Sequence, residues 1–413
     1  MTGLIAGFVY AVDPLYLDGV GLAEVLITIG KVLVTFLILL LSVLFMVWFE
    51  RKVIADMQNR IGPNRAGPFG LLQTLADGLK LIVKEDLVPN RSRRFVFALA
   101  PFLSVVPAFL VFAVVPLAGT FGEGDTGIVT IAGHETYAQL ADPPIGVLWI
   151  LLVSSIGVYG VMLAGWASGS KYPLLGSVRA TAQMVSYEAA MGLSIATLIM
   201  TTGSLSTRTM VAVQAGEGFA GVVPNWNVIL TGIVPFAIFF VAALAETNRP
   251  PFDLVEAEQE LVGGFHTEYS SIRFGMFFVA EFMHPVTMSA VIVTLWFGGP
   301  AGPLLPGLLE PISGIVWLVA KMFVFMYIFV LIRGTLPRFR YDQLMNLGWK
   351  VLIPLQLGWL LLLAALNVGR DEGWNYGVVI AVGFFVVGGA SFALLSRASD
   401  VSRQRRELGE VEA

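Results

Sequence analysis

Nine apolar stretches punctuate this chain, near residues 20–48, 95–118, 145–166, 181–202, 228–246, 271–297, 313–333, 351–368 and 375–396. Each reaches or approaches the roughly 20 helical residues that cross a hydrocarbon core. Lipid offers the backbone no hydrogen-bond partner, so a series of this kind folds as membrane-crossing helices. The expected class is therefore all-α and polytopic, with about nine crossings. Eight of these fall in residues 1–370, and an additional C-terminal helix with a basic tail occupies 371–413. The eighth stretch is short and bounded by glycine, which leaves its ends ill-defined. The charged fraction of 13% supports the same class, since soluble domains carry about 25%. A net charge of −4 gives no basis for a nucleic-acid partner. The absence of cysteine excludes a thiolate-held iron–sulfur cluster, and three histidines argue against a haem. No internal repeat or low-complexity segment is evident.

Basic residues orient the bundle. The connections 50–94, 167–180, 246–273 and 333–350 and the tail from 397 hold 21 of the 25 lysines and arginines. The positive-inside rule places that side in the cytoplasm, with the N-terminus outside and the C-terminus inside. The N-terminus lacks a basic leader region, so no cleaved signal peptide is expected. The expected location is a membrane bordering the cytoplasm.

The first connection opens with E-R-K at 50–52 and runs through M-Q-N-R-I-G-P-N-R-A-G-P-F-G, whose glycines and prolines require a tight turn. An amphipathic helix follows. Phe69, Leu72, Leu75, Leu79 and Ile82 would line one face, and Gln73, Asp77, Lys80 and Lys84 the other. It is too short and too charged to cross, so it should lie on the membrane surface. It is either a plain interfacial anchor or a helix that aims Asp77, Lys80 and Lys84 at a polar group at the membrane edge.

The most charged feature is the loop A-E-T-N-R-P-P-F-D-L-V-E-A-E-Q-E-L-V-G-G-F-H-T-E-Y, residues 245–269. Its six carboxylates, Glu246, Asp253, Glu256, Glu258, Glu260 and Glu268, face one arginine, Arg249. Crowded acids beside lipid perturb one another's titration. The alternative is a solvated acidic loop that docks a basic partner. If helical, Asp253, Glu256 and Glu260 share a face and titrate as a set, and Pro250-Pro251 marks a break.

Ionisable groups inside the crossing helices each cost about 2.5–3.5 kcal/mol on insertion scales, so they require a reason. Glu188 should lie about two turns inside the fourth helix, and Glu246 closes the fifth. Glu281 and His284 sit in the sixth beside Pro285, Lys321 in the seventh, and Glu24 and Lys31 share a face of the first. Snorkelling or a satisfied pair, such as Glu24–Lys31 or Glu281–His284, explains a single such residue. Glu188, Glu246 and Glu281 together suggest a proton or ion route.

Three segments carry a family resemblance: E-R-K-V-I-A-D-M-Q-N-R-I-G-P-N-R-A-G-P-F-G-L-L-Q-T-L-A-D-G-L-K, the acidic loop quoted above, and L-P-R-F-R-Y-D-Q-L-M. They are similar to the H subunit of proton-pumping NADH:quinone oxidoreductase, respiratory complex I, over roughly residues 20–368. The resemblance implies an all-helical subunit that holds no redox cofactor and forms much of a quinone-access tunnel. FMN and the iron–sulfur clusters would belong to partner subunits, and quinone (ubiquinone or menaquinone) would be the substrate. Partners would be the hydrophilic quinone-site and terminal iron–sulfur subunits and the small and antiporter-like membrane subunits. By motif position, Arg51, Arg60, Asp77, Arg249, Phe252 and Asp253 would line or gate the tunnel. Glu188, Glu246, Glu256, Glu258, Glu260, Glu268 and Glu281 would form the coupling path. The last helix and tail lie beyond the family's usual core. Three other readings stay open: a stand-alone ion transporter, a purely structural adaptor, and the equivalent subunit of a membrane-bound hydrogenase or related complex.

Overall fold

Helices account for eight of the nine apolar stretches; the ninth lies outside the described residues except for positions 389 and 396. The computed structural model describes residues 13–17, 19–122, 125–216, 225–254, 261–303, 306, 312–373, 389 and 396–397. Seven helices in that set are long and apolar enough to cross a membrane. They comprise α1 (Leu22–Met57), α3 (Arg94–Phe112), α4 (Gly146–Ala167), α5 (Lys171–Thr202), α9 (Ser271–Trp296), α10 (Ser313–Thr335) and the run Tyr341–Gly369. That last run is α11 (Tyr341–Leu347), a π-helical turn at Gly348–Leu352, and α12 (Ile353–Asp371).

Several boundaries differ from the hydropathy reading, each for a physical reason. With 36 residues, α1 is about 54 Å long against a core of about 30 Å. The charged E-R-K therefore extends this helix beyond the lipid and does not end it. The fourth crossing starts at Lys171, ten residues earlier than expected, because Pro173 falls in the first turn, where no N–H is needed. Glu188 consequently lies mid-helix. The fifth crossing is broken into α7 (Asn227–Leu230) and α8 (Ile233–Glu246) at Gly232, which has φ 85°. The Trp359 indole of α12 donates to the Thr231 carbonyl at 2.9 Å and satisfies the break.

The surface helix is α2 (Gln73–Val83), and Leu75, Leu79 and Ile82 on it are exposed within the chain. Phe69 is not on it; it sits in the preceding 3-10 turn at φ 54°. The tight turn before it closes at Gly70, φ 81°, where an added Cβ would meet the Pro63 carbonyl oxygen at 2.3 Å. Another feature unforeseen from the sequence is a pair of two-stranded antiparallel hairpins. They are β1 (Phe121–Gly122) with β2 (Asp125–Thr126) and β3 (Ile128–Ile131) with β4 (His134–Tyr137). Beside them, α6 (Thr207–Ala215) is capped by Ser206, whose hydroxyl accepts from the Thr209 N–H.

The bundle packs closely through small residues. At Gly160 in α4, an added Cβ would lie 2.3 Å from Ser104 Oγ of α3. One core runs from α1 through α5, α8 and α9 to α10, with Trp296, Tyr187 and Phe239 fully buried. The ends of the bundle differ. One gathers the basic connections around residues 50–94, 247–271 and 333–341, and will be called the basic end. The other carries the hairpins.

Candidate functional site

At the basic end, Glu50, Arg249, Glu281 and Arg333 form one ion network, with Glu50 and Arg249 buried and Glu281 and Arg333 half-buried. Glu50 comes from about two turns before the end of α1 and is 5% exposed; Arg249 follows α8 by three residues and is equally buried. One guanidinium nitrogen of Arg249 donates to Glu50 Oε2, and another pairs with Glu281 Oε1 of α9 at 3.1 Å. Its planar fork can hold two carboxylates at once, which a lysine ammonium cannot do with the same geometry. The Phe282 ring lies 4.0 Å below the guanidinium carbon. Arg333, in the last turn of α10, donates to Glu50 Oε1. Two acids thus balance two bases, the condition under which burying charge is tolerable.

The loop beyond Arg249 is clamped to the bundle. Arg338 donates to Asp253 Oδ2 at 2.6 Å, and the Phe339 N–H donates to the Pro251 carbonyl at 3.0 Å. Phe252 is buried edge-on to Tyr187, with ring centres 5.2 Å apart, and lies 5.6 Å from Phe339. The Tyr187 hydroxyl in turn donates to the Leu344 carbonyl. Glu268 is half-buried beside Tyr269, whose hydroxyl donates to the Phe97 carbonyl and whose ionisation is pushed upward by burial. Glu256, Glu258 and Glu260 lie outside the described residues.

Deeper in the bundle, two acids converge on α4. Ser154 donates to Glu246 Oε1 and Ser155 to Glu188 Oε1. Glu246 is 1% exposed, and its Oε2 has no hydrogen-bond partner among the described residues. Gln183 ties the two helices together by donating to the Ala245 carbonyl at 2.9 Å. Beside Glu281 of the ion network lies a small cavity, lined also by Ser104, Thr247, Asn248, His266 and His284. Pro285 lacks the N–H that would bond the Glu281 carbonyl one turn back, so the helix backbone is loosened beside the cavity.

On the membrane-surface side, Arg51 donates to Asp77 Oδ2 at 2.7 Å, and Gln73 donates to Oδ1 at 3.1 Å. Partial burial works against ionisation of Asp77. The hydrogen bonds from Arg51 and Gln73 and the nearby positive charge outweigh it, so its pKa lies below the usual carboxylate value. Lys84 follows the end of α2 in extended backbone, leaving Asp77 and Lys80 as the charges of the helix itself. Arg60 is exposed and, among the described residues, donates locally to Gln58 Oε1. An apolar cavity of about 660 Å³ lies between α1 and α10, lined by Ile38, Leu39, Phe45, Leu318, Met322 and Met326 and reaching Lys31, Ile131 and Gln139 toward the hairpin end. Phe49 lies between this cavity and Glu50 and packs 5.0 Å from Phe323.

The chain matches the NADH dehydrogenase family model over residues 30–364. It is 46% identical over 409 residues to the H subunit of NADH-quinone oxidoreductase from Frankia alni, covering 97% of this chain and 86% of that one. The chain belongs to the family of NADH-quinone oxidoreductase H subunits. The corresponding protein of Frankia casuarinae is 47% identical over 390 residues, with 92% and 82% covered. That of Streptomyces avermitilis is 46% identical over 385 residues, with 92% and 81% covered. The chain is thus a membrane subunit of an oxidoreductase complex and works among other subunits.

Glu50, Arg333 and Arg338 give no signal in the sequence, because each sits in a cluster of charges at a helix end, where polarity is ordinary. Ser154 and Ser155 give none because hydroxyls are unremarkable in an apolar helix. The separation of Glu50 from Arg333 by 283 positions also has no counterpart in local pattern. The Glu24–Lys31 pair considered from spacing does not form; Lys31 instead binds Asp13 at 3.0 Å. Glu281 takes Arg249 as its ion-pair partner.

Proposed function

We propose that this subunit admits a quinone from the bilayer and converts its reduction into ion movement through the buried acids. The reading rests on one observation above the others: Arg249 joins Glu50, about two turns before the end of the helix that borders the apolar cavity, to Glu281 inside the membrane. The cavity between α1 and α10 suits a prenyl tail, being walled by Leu39, Phe45, Met322 and Met326. The headgroup then lies toward Arg51, Asp77 and the clamped segment Arg249–Asp253, with the basic end facing the cytoplasm.

Electrons come from partner subunits that carry FMN and iron–sulfur clusters. Reducing quinone to quinol takes two electrons and two protons, so charge builds near the basic end until protons arrive. Negative charge there competes with Glu50 and Glu281 for Arg249, because one guanidinium serves both acids. Release of Glu281 changes the field at Glu246 and Glu188, and the acids of the loop, Glu256, Glu258, Glu260 and Glu268, supply or accept protons around them. The ion route continues into the antiporter-like subunits beside this one.

Filling the cavity tests the access route. Met322→Trp should raise the KM for a long-tailed quinone about tenfold while leaving a short-tailed analogue unaffected. Equal kinetics with both quinones, unchanged from the parent complex, would place the tail elsewhere.

A further inference from the structure

Ser155 has one hydroxyl proton and two acceptors. Its Oγ lies 3.0 Å from the Leu151 carbonyl, one turn back in α4, and also contacts Glu188 Oε1. A serine hydroxyl donates once, so the two contacts cannot both be donations from Ser155. If Glu188 is a carboxylate, the hydroxyl donates to it and the Leu151 carbonyl loses that partner. If Glu188 is protonated, its own O–H donates to Ser155 Oγ, and the serine proton turns to Leu151. The proton count balances in both arrangements, and they differ by one proton on Glu188. The neighbouring Ser154 faces no such choice, since it donates to Glu246 Oε1 while Oε2 stays buried without a partner among the described residues. Neighbouring residues on a helix point about 100° apart, so the serine pair reaches two different helices, α5 and α8, from one point on α4.

We propose that Ser155 is a positioning residue for the intramembrane acids, its hydroxyl turning between the Leu151 carbonyl and Glu188 as Glu188 loses or gains a proton, while Ser154 fixes Glu246 beside it. This deepens the proton-route reading and rests on it for function, but the hydrogen-bond switch has its own signature. A protonated carboxyl that loses a hydrogen bond absorbs at higher infrared frequency.

The test uses the whole complex in membranes, with infrared difference spectra recorded on quinone reduction and ions translocated per NADH measured in parallel. Glu188→Gln identifies the Glu188 carboxyl band by removing it. In Ser155→Ala that band should move to higher frequency and ion translocation should fall about fivefold, the scale of one lost hydrogen bond. Ser155→Thr, which keeps a hydroxyl, should restore both. If the alanine variant does not assemble, Ser155→Cys, a weak donor of similar size, should give the same displacement. An unmoved band in these variants, or no band removed by Glu188→Gln, overturns the switch. Unimpaired translocation in Glu188→Gln would instead defeat the proton-route reading, whatever the band does.

Discussion

The two ends of the bundle both bury charge, yet they treat it differently. At the hairpin end, Lys31 donates to Asp13 and Thr136 and to the Tyr137 carbonyl, all within 3.2 Å. Lys321 donates to the carbonyls of Phe297, Gly299 and Ala301 at 2.7–3.0 Å, just past the C-terminus of α9, where a positive charge is welcome. Arg208 donates to Asp142 at 2.9 Å and lies 3.7 Å over the Tyr137 ring. These cations tie connections to helix ends. At the basic end and deeper in the bundle, partners are shared: Arg249 serves two carboxylates, Ser155 divides between two acceptors, and Glu246 keeps one oxygen without a partner among the described residues. The first arrangement holds charges in place; in the second, single groups serve more than one partner.

Replacing Arg249 should break the second arrangement most severely. Arg249→Ala leaves Glu281 without its cation and weakens the hold on Glu50, a loss of about 3–5 kcal/mol by the usual cost of breaking a buried pair. Thermal denaturation of the purified complex should show it, with Arg249→Lys intermediate. Lys321→Met sharpens the contrast. It removes the donor of three carbonyls and should lower stability by about 3 kcal/mol, yet turnover per assembled complex should match the parent. A loss of coupling in that variant would mean that the hairpin-end cations do more than fasten loops. Glu246→Gln should do the reverse. The carboxamide still offers Ser154 an acceptor, so denaturation should shift by less than about 1 kcal/mol, while ion translocation fails.

The smallest effect concerns Asp77 and Arg51, which are partly exposed and screened. Because the pKa of Asp77 is lowered in the fold, its contribution is present above the usual value of 3.8 and is lost as pH falls through the lower folded value. The opening of α2, read from hydrogen exchange corrected for its intrinsic pH dependence, should therefore be flat from neutrality down to about pH 4 and rise only below it. Asp77→Asn should remove that acid-side rise.

Hydropathy exposed the bundle because lipid leaves the backbone few choices, and for the same reason it misplaced helix ends. The projecting turns of α1 and the early start of α5 are polar, and only packing shows that they are helical. The intramembrane acids Glu188, Glu246 and Glu281 stood out against apolar neighbours. Their partners did not, since Glu50 and Arg333 lie in charged helix ends and Ser154 and Ser155 carry no charge. Lys321 and Lys31 look as exceptional in the sequence as Glu281 does. Only the carbonyls around Lys321 and the Asp13 carboxylate beside Lys31 mark them as fasteners.

Coupling of quinone reduction to ion movement by the acids in and near the basic end can be probed by neutralising them. It is tested most directly by measuring NADH oxidation and ion translocation together in vesicles carrying complexes with Glu246→Gln and Glu281→Gln. Redox turnover should persist while the ions moved per NADH fall sharply in both. An unchanged ratio in both variants would contradict it and leave these carboxylates as structural contacts.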